Sequence, residues 1–218
     1  VVAAPVRMSD LAAATVFGAL VLAAGESQRM AGRPKPLIER DGVPLVRRVV
    51  QALLAAGVRE VVVVVGHRAD EVAWVVTDLP VRVVVNESYS AGQVTSFRKG
   101  LVDLPDSVGA TLVALADQPL LDPADVTALL EAWAKRGSAR AIVPRVQEHR
   151  GHPVVLEASA CSEILRGEAR YGAREWMDEH PDEVAWFESD NVHYIEDVDF
   201  PEDLERIAQR HGCAMRWP

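Results

Sequence analysis

Val16-Phe17-Gly18-Ala19-Leu20-Val21-Leu22-Ala23-Ala24-Gly25-Glu26-Ser27-Gln28-Arg29-Met30 passes from an apolar run straight into a loop of small, polar and charged residues. A short apolar run that ends at glycine and shows no polar alternation suits a strand buried on both faces. Comparable runs recur at 60–65, 81–85, 110–116, 141–143 and 184–187. Helical stretches fall between them. Pro44 opens one over 44–56 that Gly57 closes, and Asp122 and Pro123 open another that runs to Arg136. Pro201, Glu202 and Asp203 open a last helix, with acidic groups at the positive end of its dipole. The alternation predicts an α/β fold of three layers, with a mostly parallel central sheet and helices on both faces. Residues 145–194 are less regular, with short strands predicted at 153–156 and 193–195 and a helix at 173–179. This part is expected to close over one end of the sheet, where ligands of open α/β sheets bind.

The 218 residues are 49% apolar and 25% charged, enough for one domain with a sizeable core. One domain is expected over 15–212, with residues 1–14 as an N-terminal tail, Met8 rather than Val1 being a possible start residue, and 213–218 as a C-terminal tail. A net charge of -9 and a pI near 5.2 lack the footprint of a nucleic-acid-binding protein, so no nucleic acid is expected as a partner. No apolar run approaches the roughly 20 residues needed to cross a bilayer, so no membrane is expected either. The start of the chain reads poorly as a secretion signal, and the expected location is cytoplasmic. Cys161 and Cys213 are far apart and lack histidines at metal-ligand spacing, so plain thiols are expected.

Chemistry concentrates first in the segment from Leu22 through Gly32 to Lys35 and Pro36. Small residues let backbone amides approach phosphate oxygens, and Arg29 and Lys35 supply charge-assisted contacts. Read by itself, the segment is either a triphosphate cradle or a strand-to-helix loop with two solvated cations. It is neither a Walker loop nor a dinucleotide fingerprint. The second signal is Asp117 in Leu115-Ala116-Asp117-Gln118-Pro119, at the carboxyl end of a buried strand. A carboxylate there either holds Mg²⁺ beside substrate phosphates or caps the following turn. A third lies in Asp197-Val198-Asp199-Phe200-Pro201-Glu202-Asp203, a source of a second metal ligand or an ordinary helix start. His67, after the second long strand, either touches a ligand or finishes the strand, and Trp74, Trp133 and Trp176, at helical positions beside apolar residues, are expected in core or interface packing.

Five stretches together carry a family likeness. Leu22 to Lys35 resembles the LAAG-x-S-x-R-M-G-x-x-K opening of nucleotidyltransferases related to molybdenum cofactor cytidylyl- and guanylyltransferases. The stretch from Asn86 to Ser96, with Gly100-Leu101, is similar to the family's second nucleotide loop. Ala116-Asp117-Gln118-Pro119 resembles its metal aspartate motif and Arg150-Gly151-His152-Pro153 its acceptor-side loop. Asp197 to Asp203 resembles its closing D-x-D-x-P-E-D motif. Ala31 stands where the family usually has glycine, with Gly32 one place later. Gly167 to Arg174 is a longer version, with Glu168 for aspartate, of a Gly-Asp-x-Gly-Ala-Arg element.

The resemblance implies a Rossmann-like nucleotidyltransferase fold and a set of roles. Leu22, Ala23, Ala24 and Gly25 would hold base and ribose, Arg29 and Lys35 the triphosphate, and Asn86, Gln93 and Ser96 the rest of the nucleotide pocket. Asp117 and Asp199 would bind Mg²⁺, with Lys35, Arg29 and Asp117 as the catalytic set. Arg150 and His152 would meet a phosphorylated acceptor. Ala24, in a Leu-Ala-Ala-Gly rather than a Leu-Ala-Gly-Gly stretch, implies CTP. The implied reaction joins CTP to a molybdopterin cofactor and releases pyrophosphate, and a molybdoenzyme is the implied protein partner. Sugar, polyol or phospholactate-type phosphates are alternative acceptors, and a non-catalytic nucleotide-binding accessory protein is the alternative of another class.

Overall fold

The computed structural model describes residues 15–218; the tail expected at 1–14 lies outside the described residues. The main sheet runs in the order β10 (Val184–Glu188), β7 (Ala141–Val146), β9 (Val154–Glu157), β6 (Ala110–Leu115), β1 (Phe17–Ala23), β4 (Glu60–Val65) and β5 (Arg82–Val85). Strands β1, β4, β5 and β6 are mutually parallel, as are β7 and β10, while β9 is antiparallel to both β6 and β7. The short β8 (His149–Arg150) folds back on β7 as a hairpin. Central strands carry unbroken Val/Leu runs because both of their faces are covered.

One face packs α1 (Leu45–Ala55), α2 (Ala69–Trp74) and α4 (Pro123–Ala134) on Ala19, Val21, Val63 and Leu112. The other packs α3 (Gln93–Asp103), α5 (Ala158–Arg166) and α6 (Ala173–Glu179) on Leu20, Val62, Val64 and Val113. The three layers are those the alternation predicts. Gly100 sets how close α3 comes, since a Cβ there would lie 2.8 Å from Val64 and 2.9 Å from Leu20. The Asp122 cap is as read: its side chain accepts from the amides of Ala124 and Asp125, and Asp125 reciprocates to the Asp122 amide. No helix among the described residues is long and apolar enough to cross a membrane.

Two expectations are corrected. Residues 193–195 form no strand; Val192–Tyr194 is a single 3₁₀ turn, capped by the Asn191 side chain on the His193 amide. Residues 213–218 are no loose tail, because β11 (Met215–Arg216) pairs antiparallel with β2 (Glu39–Arg40), which in turn pairs with β3 (Val43–Pro44). Met215 and Trp217 there cover apolar side chains that would otherwise face water. Trp133 and Trp176 are core residues, but Trp74 is 77% exposed on α2.

Candidate functional site

The loop after β1 is held by its own backbone. A 3₁₀ turn at Gln28–Met30 lies between Ser27 (φ 51°) and Ala31 (φ 52°), both left-handed, and Gly32 follows at φ 75°. Ala31 thus adopts the conformation that favours glycine, the residue type of the resembling family at this place. The turn drives Met30 inward, and the Ser27 hydroxyl accepts the Lys35 amide at 3.1 Å, fixing where the lysine emerges. His67, two residues past the end of β4, reaches across to the Gly32 carbonyl at 3.1 Å through Nε2, while its amide donates to the Ala24 carbonyl.

A small separate core joins the three chemical segments. Met30 from the loop, Leu120 from the stretch after Asp117, and Val198 from between Asp197 and Asp199 pack with Ile38, Leu45, Leu204 and Ile207 of α7 (Pro201–His211). The Val198 amide also donates to the Asp117 carbonyl at 3.1 Å. Val198 is fully buried, and Asp199 beside it lines the cleft. Lys35 Nζ then lies 2.6 Å from Asp199 Oδ1 and 3.3 Å from Asp117 Oδ2, and Arg29 lies 3.3 Å from Asp199 Oδ2. Residues separated by 82 and 164 positions thus meet at one point.

Electrostatics at this point are strongly coupled. Burial alone would lower the Lys35 pKa, but the hydrogen bond to Asp199 and the charge of Asp117 outweigh it and hold the ammonium above its ordinary range. Burial pushes the Asp117 carboxyl up, and Lys35 opposes that shift. Asp197 is pushed up to about 6 by burial and then by the negative charges of Asp117 and Asp199. Asp117 and Asp199, two carboxylates on one ammonium, offer hard oxygen donors of the kind that suit Mg²⁺ or Mn²⁺, and the lysine stands in for a cation between them.

Leu22, Ala23, Ala24 and Gly25 line one wall of a cleft of about 430 Å³, Gln93 and Ser96 line another, and Arg29, Lys35, Asp117 and Asp199 sit at its end. Nine of the residues singled out from the sequence therefore reach the cleft directly along with Asp199, and three do not. Asn86 is buried behind the wall, where its amide nitrogen donates to Thr95 and Ser96 and so sets the start of α3. Arg150 turns outward to Asp178 at 2.8 Å and stacks over Trp186. His152 turns inward, its Nδ1 3.3 Å from the Val113 carbonyl, and burial lowers its pKa.

Two contributors lie inside the quoted motifs but were given no role from the sequence. Tyr89 lines the cleft against Gly66, where a Cβ would lie 2.7 Å from the tyrosine Cβ. Gln118 is buried and ties Asp117 to the far side of the site by donating to the carbonyls of His152 and Tyr194. Asp122, Asp125 and His193 also bring three potential ligand atoms together. The Asp125 carboxylate is already committed there to the Asp122 amide, Asn191 and His193.

Residues 19–184 match the model of the MobA-like NTP transferase domain. The chain is 34% identical to nicotine blue oxidoreductase of Paenarthrobacter nicotinovorans, over 92% of this chain and all of that protein. It is 32% identical to a probable molybdenum cofactor guanylyltransferase of Natronomonas pharaonis, over 88% of this chain and 96% of that one. The fold is also similar to that of a nucleotidyl transferase from Methanothermobacter thermautotrophicus, with a TM-score of 0.72, 26% identity and coverage of 89% and 97%. The match spans most of the chain, Lys35 and Asp117 included, so the chain belongs to the family of MobA-like NTP transferase domains, a nucleotidyltransferase family.

Proposed function

We propose that the protein transfers a cytidylyl group from CTP to the phosphate of a molybdopterin-type acceptor and releases pyrophosphate, with Mg²⁺ held by Asp117 and Asp199. The observation that carries this reading is the convergence of Lys35, Arg29, Asp117 and Asp199 at the end of a cleft walled by the backbone of 22–25. When bound, the metal supplies charge neutralisation at the phosphate oxygens. Lys35 and Arg29 orient the triphosphate and stabilise negative charge as it builds at the α-phosphate. An ionised acceptor phosphate needs no protein base, and none of the cleft residues is assigned one. Ala24 faces the base and leaves less room than glycine would, which favours a pyrimidine.

Incubation with CTP, GTP or ATP, Mg²⁺ and molybdopterin, with pyrophosphate release followed, tests the reading. Release only in the presence of the acceptor, and fastest with CTP, is expected. Release with a sugar or polyol phosphate instead would reassign the acceptor.

A second reading follows from the end-to-end similarity to nicotine blue oxidoreductase. An oxidoreductase needs an electron donor, so the protein is offered nicotine blue with NADH or NADPH and the pigment absorbance is followed. Bleaching, with no pyrophosphate released from any nucleotide, would replace the transferase reading.

A further inference from the structure

Lys35 is assigned to phosphate in the reaction, yet its ammonium lies between two carboxylates. Nζ is 2.6 Å from Asp199 Oδ1 and 3.3 Å from Asp117 Oδ2, with the lysine side chain only 14% exposed. Three of the four oxygens of the carboxylate pair are in contact with a protein cation, Asp199 Oδ1 and Asp117 Oδ2 with Lys35 and Asp199 Oδ2 with Arg29. A divalent ion that used the same oxygens at 2.0–2.1 Å, the distance Mg²⁺ demands, would meet the ammonium at a separation where two positive charges repel strongly. Arg29 adds a further positive charge on Asp199 at 3.3 Å and is itself held over the Phe200 ring at 5.2 Å.

We infer that the Lys35 ammonium and a divalent cation are mutually exclusive occupants of the Asp117–Asp199 pair, so that the metal is admitted only together with a triphosphate, which gives Lys35 a new anionic partner. Lys35 thereby guards the metal site as well as serving the reaction. The argument rests on the reading of Asp117 and Asp199 as the metal ligands. It concerns displacement of one cation by another and needs no particular base or acceptor. The energetic coupling between triphosphate and metal follows by linkage: whatever draws Lys35 away tightens the metal, and the metal tightens the triphosphate by the same factor.

Mn²⁺ alone, titrated into the protein and read from the electron paramagnetic resonance signal of the free ion, tests the exclusion. Lys35→Met, checked for fold by circular dichroism, is expected to bind Mn²⁺ roughly 10-fold tighter than wild type, within the usual range of coupling between sites. Arg29→Met removes one positive charge from the same carboxylate without vacating the position between the pair, and should gain much less. In equilibrium dialysis, Mn²⁺ should raise the retention of labelled CTP by wild type at concentrations where wild type alone holds little Mn²⁺. Equal Mn²⁺ affinity in wild type and Lys35→Met overturns the inference, as does an Arg29→Met gain matching that of Lys35→Met, or no Mn²⁺ binding by any variant. If CTP is not retained while Lys35→Met still gains Mn²⁺, the exclusion stands and the nucleotide reading falls.

Discussion

His67 Nε2 lies 3.1 Å from the Gly32 carbonyl, so the second residue after β4 holds the tip of the loop that carries Arg29 and Lys35. The ring must donate for this bond to exist, which requires a proton on Nε2. His67→Ala should release the loop tip and lower kcat by roughly 10-fold to 100-fold, the penalty for misplacing charge-stabilising groups. His67→Gln keeps a donor at similar reach and should recover most of the loss. Steady-state kinetics of the two variants check this; equal loss in both would show that the ring acts by packing and not by its proton.

Lys35→Ala should lower kcat by roughly 10²-fold to 10³-fold, because the lost charge acts on the transition state more than on bound nucleotide. A rise in KM for the nucleotide with kcat unchanged would make Lys35 a binding residue only. Chelation of divalent metal should abolish pyrophosphate release and Mg²⁺ should restore it. Asp117→Ala, at a partly exposed carboxylate, should be folded and nearly inactive.

Glu196 gives a pH dependence with a definite sign. Its side chain is 6% exposed and accepts from Arg206 and His211. Burial would raise its pKa, but the hydrogen bonds from His211 and Arg206 outweigh that and hold it below the usual carboxylate range. A depressed folded-state pKa contributes stability above the ordinary value near 4.5 that is lost as the pH falls through the folded-state value. Glu196→Gln should therefore destabilise the protein at neutral pH, by about 1–3 kcal/mol for hydrogen bonds to a buried charge. The difference in Tm from wild type should shrink as the pH is lowered below 4.5; a constant difference would show that only packing was lost.

Base choice is predicted to depend on Ala24, which is 4% exposed and lines the cleft beside Gly66. One methyl is worth about 1–3 kcal/mol of discrimination. Wild type should favour CTP over GTP and ATP in kcat/KM, and Ala24→Gly should narrow the gap. An unchanged ratio in Ala24→Gly would free this wall from any role in reading the base.

The strands were legible because a strand covered on both faces must be apolar throughout, as in the five valines at 61–65. Helix α3 had no such clarity: Gln93, Thr95, Arg98, Lys99 and Gly100 interrupt its apolar stripe, and its position depends on Asn86 and on the close approach of Gly100 to the sheet. Lys35, Asp117 and Asp199 were legible as types in a motif, but their meeting is made by Met30, Leu120 and Val198, whose apolar character gives no sign of which partners they find. Arg150 and His152 show the reverse case. Their motif was readable, yet the hairpin at β8 turns one outward and the inward turn of the other places it on Val113.

The pairing of β11 with β2 has a consequence for how the site comes into being during synthesis. Lys35 leaves the ribosome 82 residues before Asp117 and 164 before Asp199, and Arg216 follows Glu39, its partner, by 177. Contacts this far apart in sequence form late, after the loop-closure cost has been met by the rest of the sheet. A nascent chain can thus assemble β1, β4 and β5 and display the loop after β1 while both carboxylates that face Lys35 have yet to be made. Until α7 and β11 dock, Met30 and Ile38 have lost part of their cover, which makes the half-made cleft the place where a chaperone or a protease would find the chain.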